Sequence, residues 1–335
     1  MRKTINMTML AVAPLAAAVH AALLLTACAD TERYIAEAEA PQPKSYDEVL
    51  ALWEAELPSN TLVDAVETIP SDTAMSDYDD YLENQEFKAG RVVTIEWNGD
   101  VVSIDNPQVA KGVKVTAQGG YVTVENLETS DDADDARSKV TYLLKGSSAK
   151  GQLKVYSQKK FLLRLAGLDL TCPDGPAISI QKKKRCFVQC DEGTVNVLTD
   201  GATYASDAVA EPAEDEKGCL FSEGQLIFCG TGALTVNGKH AHGIASDEYI
   251  HVHSGCRITV HEAAKDGIHT KFNYRQTGGL VRSYATKDAL QSDSLGIRLE
   301  GGYLYLYGER PMTADGGGTV TQGTAAQVVK ISYGM

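Results

Sequence analysis

Apolar and polar residues alternate in short segments along most of the chain. In one segment Ile250 and Val252 alternate with two histidines, and after a glycine-containing turn Ile258 and Val260 alternate with polar residues. An alternation of period two indicates β-strands with one buried face. We find no long runs with the 3.6-residue period of a helix in this region. The pattern therefore predicts an all-β fold.

A related phrase recurs every 22–25 residues: HGIASD from His242, DGIHTK from Asp266 and DALQSD from Asp288. The small residue at its centre returns after 24 and then 22 residues, and a step of 25 residues back from Gly243 reaches Gly218. A period of this length is typical of a solenoid, in which each repeat buries its apolar face against its neighbours. Short strands in such a period predict a parallel β-helix, with equivalent residues stacked in columns.

The remaining segments suggest three regions. Residues 1–28 have a basic start, an Ala/Leu-rich stretch and the sequence LTAC, which is typical of a bacterial lipoprotein signal with a lipidated Cys28. Residues 29–86 are acidic and contain several prolines, which suggests a tether. Within it, residues 46–57 predict a short helix that caps the first layer. The β-helix and a C-terminal tail take residues 87–335, with loops at 128–139 and 203–217.

The net charge of −14 argues against nucleic acid or anionic lipid as a partner. Contact with a membrane is therefore expected only through the lipid anchor, which places the protein in the bacterial cell envelope. Export permits disulfides. Cys190 and Cys229 fall at similar places in consecutive layers, so they either form a disulfide or belong to an interior cysteine ladder. The sequence leaves the oligomeric state open.

Several segments resemble the carbohydrate-binding domain of pectate-lyase-like β-helix proteins that bind cellulose and polygalacturonate: FLLRLAGLDLT from Phe161, GTVNVLTDG from Gly193, GALTVNG from Gly232, and the phrases at His242 and Asp266. The resemblance covers about residues 87–308. It implies a right-handed parallel β-helix, binding of an acidic polysaccharide or cellulose, bound calcium, and no established catalysis. The chain departs from the family pattern at Phe272 and Ala289, which affects the ion sites more than the fold.

One corner of the predicted β-helix carries a partly acidic ridge. Its carboxylates stack about 5 Å apart and repel one another unless a cation neutralises them. Oxygen ligands of this kind suit calcium, as the resemblance implies. The alternative is that each Asp forms its turn, or that lysines 265, 271 and 287 neutralise the ridge. The candidate calcium ligands are Asp266, Asp288, Asp247, Asp293 and Glu223.

A second set of columns is aromatic and basic. Flat rings offer a stacking surface to a sugar, and arginine offers a two-pronged bond to a uronate carboxylate. The alternative is that the tyrosines pack under the C-terminal tail, since tyrosine favours strands in any case. The candidate carbohydrate-binding residues are Tyr284, Tyr303, Tyr305, Tyr307, Arg257 and Arg282.

Motifs for nucleophilic catalysis, zinc-dependent proteolysis and phosphate binding are absent from the sequence. The favoured hypothesis is a non-catalytic, surface-anchored protein that binds an acidic polyuronate or a cellulose-like glycan, with calcium as a cofactor. A polysaccharide lyase on the same fold is the first alternative. An adhesin or structural envelope protein is the second.

Overall fold

The computed structural model describes residues 42–127, 139–208 and 214–333. Cys28 and the predicted signal segment lie outside these residues, as do parts of both predicted loops. Among the helices of the described residues, none has the length and apolar character needed to cross a membrane.

The described residues form one α-helix, α1 (Tyr46–Glu56), and a long series of β-strands. The first strands are β1 (Val92–Asn98), β2 (Val101–Asp105), β3 (Lys114–Gln118), β4 (Gly120–Asn126), β5 (Val140–Ser148), β6 (Gly151–Ser157), β7 (Phe161–Thr171), β8 (Ile178–Ile180), β9 (Cys186–Cys190), β10 (Val195–Thr199), β11 (Gly218–Ser222) and β12 (Leu226–Gly230). The others are β13 (Ala233–Gly238), β14 (His242–Ser246), β15 (Ile250–Val252), β16 (Arg257–Ala263), β17 (Ile268–Thr270), β18 (Asn273–Gln276), β19 (Leu280–Tyr284), β20 (Asp288–Ser292), β21 (Gly296–Gly308), β22 (Arg310–Ala314) and β23 (Thr319–Ser332).

Equivalent strands of successive layers pair in parallel and form two sheets. Sheet A has 14 strands, most of which form two parallel ladders, β10-β13-β16-β19 and β9-β12-β15-β18. The long strands β7 and β21 pair with strands of both ladders and so join them into one sheet. Sheet B has nine strands in the order β22-β20-β17-β14-β11-β8-β6-β4-β3. The result is a parallel β-solenoid of about eight turns, which confirms the predicted pectate-lyase-like parallel β-helix.

The core is a stack of inward-facing aliphatic side chains. Ile244, Ile268 and Leu290 lie in register on β14, β17 and β20, and each is at most 1% exposed. The predicted repeat frame therefore holds across these layers. One layer earlier it shifts by a residue, because Gly218 pairs with His242 and not with Gly243.

The two ends of the solenoid are closed differently. At the first layers, β2 pairs with β1 and β3 pairs with β4, in both cases antiparallel. These hairpins occupy the edges that a parallel ladder would leave open to other chains. At the other end, the predicted tail forms a further layer, since β22 pairs with β20 and β23 pairs with β21.

The cysteines of the described residues are all free thiols. Cys190 is in register with Gly230, and Cys229 is in register with Gln189. The two cysteines therefore do not share a column, and a disulfide between them is not formed. Burial raises the pKa of the Cys190 thiol to about 12, which keeps it protonated and unreactive.

Helix α1 begins after Ser45, whose side chain forms a capping box with Glu48. Its buried face consists of Val49 and Trp53. This face packs on Tyr305 and on other aromatic residues of β19 and β21, near the C-terminal end of the solenoid. The expectation that the helix caps the first layer is therefore wrong. Aromatic side chains stacked on the outside of the last layers provide the apolar surface that the helix covers.

The helix belongs to an N-terminal strap (residues 42–86) that lies on the outer face of sheet A. After α1 the strap contacts His251 on β15 and His253, which directly follows that strand. Its Leu82 then packs against apolar residues of β7, β9 and β12 before the chain enters β1. The described part of the predicted tether is thus docked on the β-helix.

The strap is held by its carboxylates as well as by apolar contacts. Cationic and imidazole groups of the solenoid approach these carboxylates to 2.8–3.0 Å, and the pairs are Glu54–Arg282, Asp77–Arg275, Asp80–Arg185 and Glu67–His253. The acidic residues that suggested a solvated tether are instead paired with basic residues of sheet A. This explains why the tether prediction is wrong for residues 42–86.

Glu67 is the strap carboxylate with the largest resolved pKa shift. Burial alone raises its pKa, but hydrogen bonds with His253 and Tyr81 outweigh burial and lower it from 4.5 to about 2. A group with a lowered folded-state pKa contributes stability above its unfolded pKa and loses it as the pH falls toward the folded value. The contribution of Glu67 is therefore complete above about pH 4.5 and is lost as the pH falls through about 2.

Replacing Trp53 by Ala should loosen the docking of α1. Removing a buried tryptophan costs about 3–5 kcal/mol where the surrounding structure cannot collapse. We expect faster hydrogen–deuterium exchange in residues 46–56 and little change in the strands of sheet B. Leu52→Ala is the control, because Leu52 lies on the same helix and is 38% exposed. Equal exchange in the two variants would show that the buried face does not hold the helix.

Replacing Glu67 by Gln should lower the melting temperature at neutral pH, since a buried ionic hydrogen bond is weakened. The difference from the unaltered protein should shrink as the pH is lowered from about 4.5 toward 2, where Glu67 itself becomes protonated. Melting curves at a series of pH values measure this. Glu56→Gln, which makes the same change of charge at an exposed position on α1, is the control. A constant difference for Glu67→Gln would contradict the assignment.

Candidate functional site

The register of sheet B builds three outward columns at one corner of the solenoid. The first begins each strand and contains His242, Asp266, Asp288 and Arg310. The second follows each strand and contains Glu223, Asp247, Lys271 and Asp293. Between them lie Ala245, His269 and Gln291, which are in register on β14, β17 and β20. The predicted ridge therefore exists as two columns on either side of a strand.

These columns enclose an open depression of about 470 Å³, which is within the range of ligand sites. Five cationic, three carboxylate and two imidazole side chains line it together with one glutamine: Lys217, Lys265, Lys271, Lys287, Arg310, Asp247, Asp266, Asp293, His242, His269 and Gln291. The depression thus has an excess of positive charge on a chain whose net charge is −14.

Two of the predicted ion ligands are neutralised by basic side chains. Arg310 makes a two-pronged pair with Asp288, with distances of 2.6 and 2.7 Å. Lys217 Nζ lies 2.8 Å from both carboxylate oxygens of Asp247. Burial raises the pKa of Asp288 although Arg310 opposes it. These pairs relieve the repulsion of stacked carboxylates, as the alternative interpretation of the ridge requires, but the basic residues differ from the three predicted lysines.

Asp266 is flanked by imidazoles. His242 Nδ1 and His269 Nδ1 lie 3.0 and 3.4 Å from Asp266 Oδ2, and His269 Nε2 lies 3.3 Å from Asp293 Oδ2. Burial alone raises the pKa of Asp266, but the two neighbouring imidazoles prevail and lower it. Burial lowers the pKa of His242, whereas the pKa of His269 is raised because its two carboxylate partners outweigh burial.

The five predicted calcium ligands are therefore placed unequally. Asp247, Asp266 and Asp293 line the depression, whereas Asp288 is buried behind Arg310 and Glu223 is not a lining residue. Calcium takes six to eight oxygen ligands. The groups nearest to Asp266 and Asp293 are nitrogen donors, and two of the other carboxylates are paired with cations. The donor set does not match a calcium cage, and calcium binding stays a prediction from the resemblance.

The lysines of the depression differ in their partners. Lys217 is paired with Asp247 and Asp215. Lys265, Lys271 and Lys287 are exposed and make no ion pair with any residue in the described ranges. These three ammonium groups are therefore available to a ligand.

The predicted aromatic and arginine columns are present but covered. Tyr305 and Tyr307 are fully buried, and the hydroxyl groups of Tyr284 and Tyr303 donate to backbone carbonyls of the strap at 2.6 and 2.7 Å. Arg282 is paired with Glu54 of the strap. The prediction of an open sugar-stacking face is therefore wrong for these five residues. The N-terminal strap covers them, and Val329, Ile331 and Tyr333 of the C-terminal tail pack against the same cluster, as the alternative interpretation expected.

Arg257 lies outside that covered cluster. It is exposed at the start of β16 and is in register with Ala233 and Leu280 on the neighbouring layers. The same column continues from Leu280 to Tyr303 on the next layer, as the sequence predicted. A role of Arg257 in carbohydrate binding stays a prediction.

Sequence reasoning did not identify His242 and His269 as one cluster. The repeat itself contains the information needed. Aligning the phrase at His242 with the phrase at Asp266 places these two residues side by side on adjacent layers, and His269 follows the inward-facing Ile268 on the second of these layers. His251 and His253, the histidines that alternate with Ile250 and Val252, instead contact the strap. Histidines on adjacent layers are separated in sequence by a full repeat, so a reading of short segments does not bring them together.

Comparison with known proteins shows the family to which this chain belongs. Residues 135–331 match a family model described as a carbohydrate-binding domain-containing protein. A curated relative from Acetivibrio thermocellus with the same description is 28% identical over 141 residues, which is 41% of this chain and 48% of the relative. The aligned part of the chain thus spans about half the length of that relative.

A solved structure supports the same architecture. The polysaccharide lyase-like protein from C. thermocellum, in its gadolinium derivative, superposes with a TM-score of 0.55 and 19% sequence identity, covering 71% of this chain and 96% of that protein. At this identity the similarity concerns the fold. The family model, in contrast, matches more than half of the chain. The chain therefore belongs to the family of carbohydrate-binding domain-containing proteins.

Proposed function

We propose that this protein binds an acidic polysaccharide of the polyuronate class at the depression on sheet B and does not cleave it. The family supports binding of a carbohydrate in general. The observation that carries the acidic specificity is the set of three unpaired lysines, Lys265, Lys271 and Lys287, in an open depression. An ammonium group binds a uronate carboxylate by a charge-assisted hydrogen bond.

The lysines are spaced by the solenoid itself. The backbone N–H of Lys287 donates to the carbonyl of Lys265 at 2.9 Å, so these residues occupy equivalent positions on consecutive layers. Their Cα atoms are therefore about 4.8 Å apart, and Lys271 lies across the intervening strand. A polymer lying along this corner meets an ammonium group at each of these layers. Because the rest of the chain is acidic, this local patch determines where a polyanion binds.

A lyase reaction is the second candidate, because the same depression holds the imidazole of His242, whose pKa is lowered by burial. A neutral imidazole near bound uronate can act as a general base and remove a proton from the sugar. The two candidates differ in one observable, the release of unsaturated product from polygalacturonate. The adhesin or structural alternative differs from both, because under it the protein is not retained on any glycan.

We also propose that the chain is anchored at the cell envelope through a lipid on Cys28, as the LTAC sequence indicates. In cells, Cys28→Ala should move the protein from the membrane fraction to the soluble fraction and abolish incorporation of labelled fatty acid. Cys172→Ala, which alters a buried thiol, is the control and should leave both readouts unchanged. Labelling that persists in Cys28→Ala would contradict the anchor.

Replacing Lys265, Lys271 and Lys287 together by Ala should reduce retention on polygalacturonate by at least about tenfold, which is about 1.4 kcal/mol. Affinity electrophoresis or calorimetry at low and high salt measures it, and binding by the unaltered protein should weaken as salt screens the charges. A matched control exists in Lys182, Lys183 and Lys184, whose replacement by Ala makes the same change of charge in a turn before β9. That variant should bind normally.

Three results would contradict this proposal in whole or in part. Equal losses in both triple variants would show that overall charge, and not the depression, controls binding. Retention on cellulose that is unaffected by the sheet B variant would place the carbohydrate site elsewhere. Formation of unsaturated product by the unaltered protein would overturn the non-catalytic part and favour the lyase.

A further inference from the structure

His242, Asp266 and His269 form a cluster whose ligand atoms lie within 4.8 Å of one another. They come from two adjacent layers of sheet B: His242 begins β14, Asp266 lies two residues before β17, and His269 lies on β17. The cluster opens on the depression but is largely shielded, since His242 is 7% and Asp266 5% exposed. Two imidazoles and one carboxylate on a rigid ladder are a set of donors known from metal sites.

The distances are those of a first coordination shell. Zinc binds nitrogen at about 2.0–2.1 Å in a tetrahedron, which places neighbouring ligand atoms about 3.3 Å apart. Asp266 Oδ2 lies 3.0 Å from His242 Nδ1 and 3.4 Å from His269 Nδ1. The two rings form a near-parallel stack with centroids 4.4 Å apart and planes inclined at 24°. A modest rotation of each ring directs both nitrogens toward one ion.

The Nδ1 of His242 supplies a second observation. It is buried and, among the described residues, has no hydrogen-bond partner of acceptable direction, although Asp266 Oδ2 is 3.0 Å away. A buried nitrogen without a bond is costly. An ion placed between the nitrogen and the carboxylate satisfies both groups.

Asp293 completes the arrangement from the far side of His269. Its Oδ2 lies 3.3 Å from His269 Nε2, so it can accept the N–H of the nitrogen that does not face Asp266. A carboxylate that accepts from the outer nitrogen of a ligating histidine fixes the tautomer and the orientation of the ring. Gln291 Oε1, 3.1 Å from His269 Nδ1, is the group that must yield its contact to the ion.

The positive charges around the cluster disfavour a cation that is held only by electrostatic attraction. Three unpaired lysines line the same depression, and a hard cation such as calcium gains little from nitrogen ligands. An ion that prefers imidazole gains directional bonds that calcium does not. We therefore propose that His242, Asp266 and His269 bind a divalent transition ion of the zinc type, with Asp293 as a positioning residue. This site shares Asp266 and Asp293 with the predicted calcium ridge, and it differs from a calcium site in having two imidazole ligands.

The test uses the purified chain, with zinc and no glycan, so that its failure is separable from that of the proposed polysaccharide binding. Calorimetry should show one zinc ion per chain, and excess calcium should not displace it. Cobalt should give the absorption of a tetrahedral nitrogen and oxygen site without a thiolate charge-transfer band, which separates this site from the free cysteines. His242→Ala and His269→Ala should each weaken zinc binding by at least about 100-fold, with circular dichroism confirming that they fold.

Two further variants sharpen the assignment. Asp293→Asn should weaken binding by about 10–100-fold with unchanged stoichiometry, as expected of an outer-shell partner. His240→Ala removes a histidine that lies 3.2 Å from the carbonyl of Ala202 and outside the cluster, and zinc binding should be unchanged. Absence of zinc binding by the unaltered protein would overturn the proposal. Zinc binding that persists in both His242→Ala and His269→Ala, or displacement of zinc by calcium, would also overturn it.

Discussion

The hydrogen-bonded register between successive parallel strands is the constraint on which the rest of this structure depends. It places each side chain about 4.8 Å from its equivalents on the layers before and after. A column of carboxylates at that spacing repels itself. The corner column of sheet B avoids this by changing chemistry from layer to layer, from His242 to Asp266, Asp288 and Arg310. The ion pair of Asp288 with Arg310 and the contacts of Asp266 with histidines follow directly from that stacking.

The same register creates a different problem on the outer face of sheet A. Tyr284 and Tyr307 stack with centroids 5.0 Å apart and planes inclined at 11°, and together with Tyr305 they form a continuous apolar surface. Exposed patches of this kind are unfavourable in water and promote association. The strap covers the patch with Trp53 and adds carboxylates opposite Arg275 and Arg282. Apolar and ionic contacts therefore act together in its docking.

The sequence predicted what depends on local pattern. Alternation of period two gives the strands, and the 22–25-residue repeat gives the parallel β-helix, because neighbouring layers are neighbours in sequence. The docked strap could not be predicted in this way, since Glu54 meets Arg282 across 228 positions of the chain. The one-residue shift at Gly218 was also missed, because a step of 25 residues back from Gly243 reaches another glycine, which matches the small residue at the centre of the phrase. Acidic composition alone cannot distinguish a solvated tether from a segment that meets a basic surface.

The strap also determines which cationic groups remain available to a ligand. On sheet A, the guanidinium groups of Arg185, Arg275 and Arg282 are all paired with strap carboxylates, so an incoming polyanion must compete with an intramolecular partner. An intramolecular partner is present at a high effective concentration, which disfavours that competition. The depression on sheet B has no such cover, and three of its lysines lack an ion-pair partner within the described residues. In the proposed function, electrostatic attraction directs an anionic polymer to sheet B, whereas the aromatic face on sheet A packs against the strap and contributes to stability.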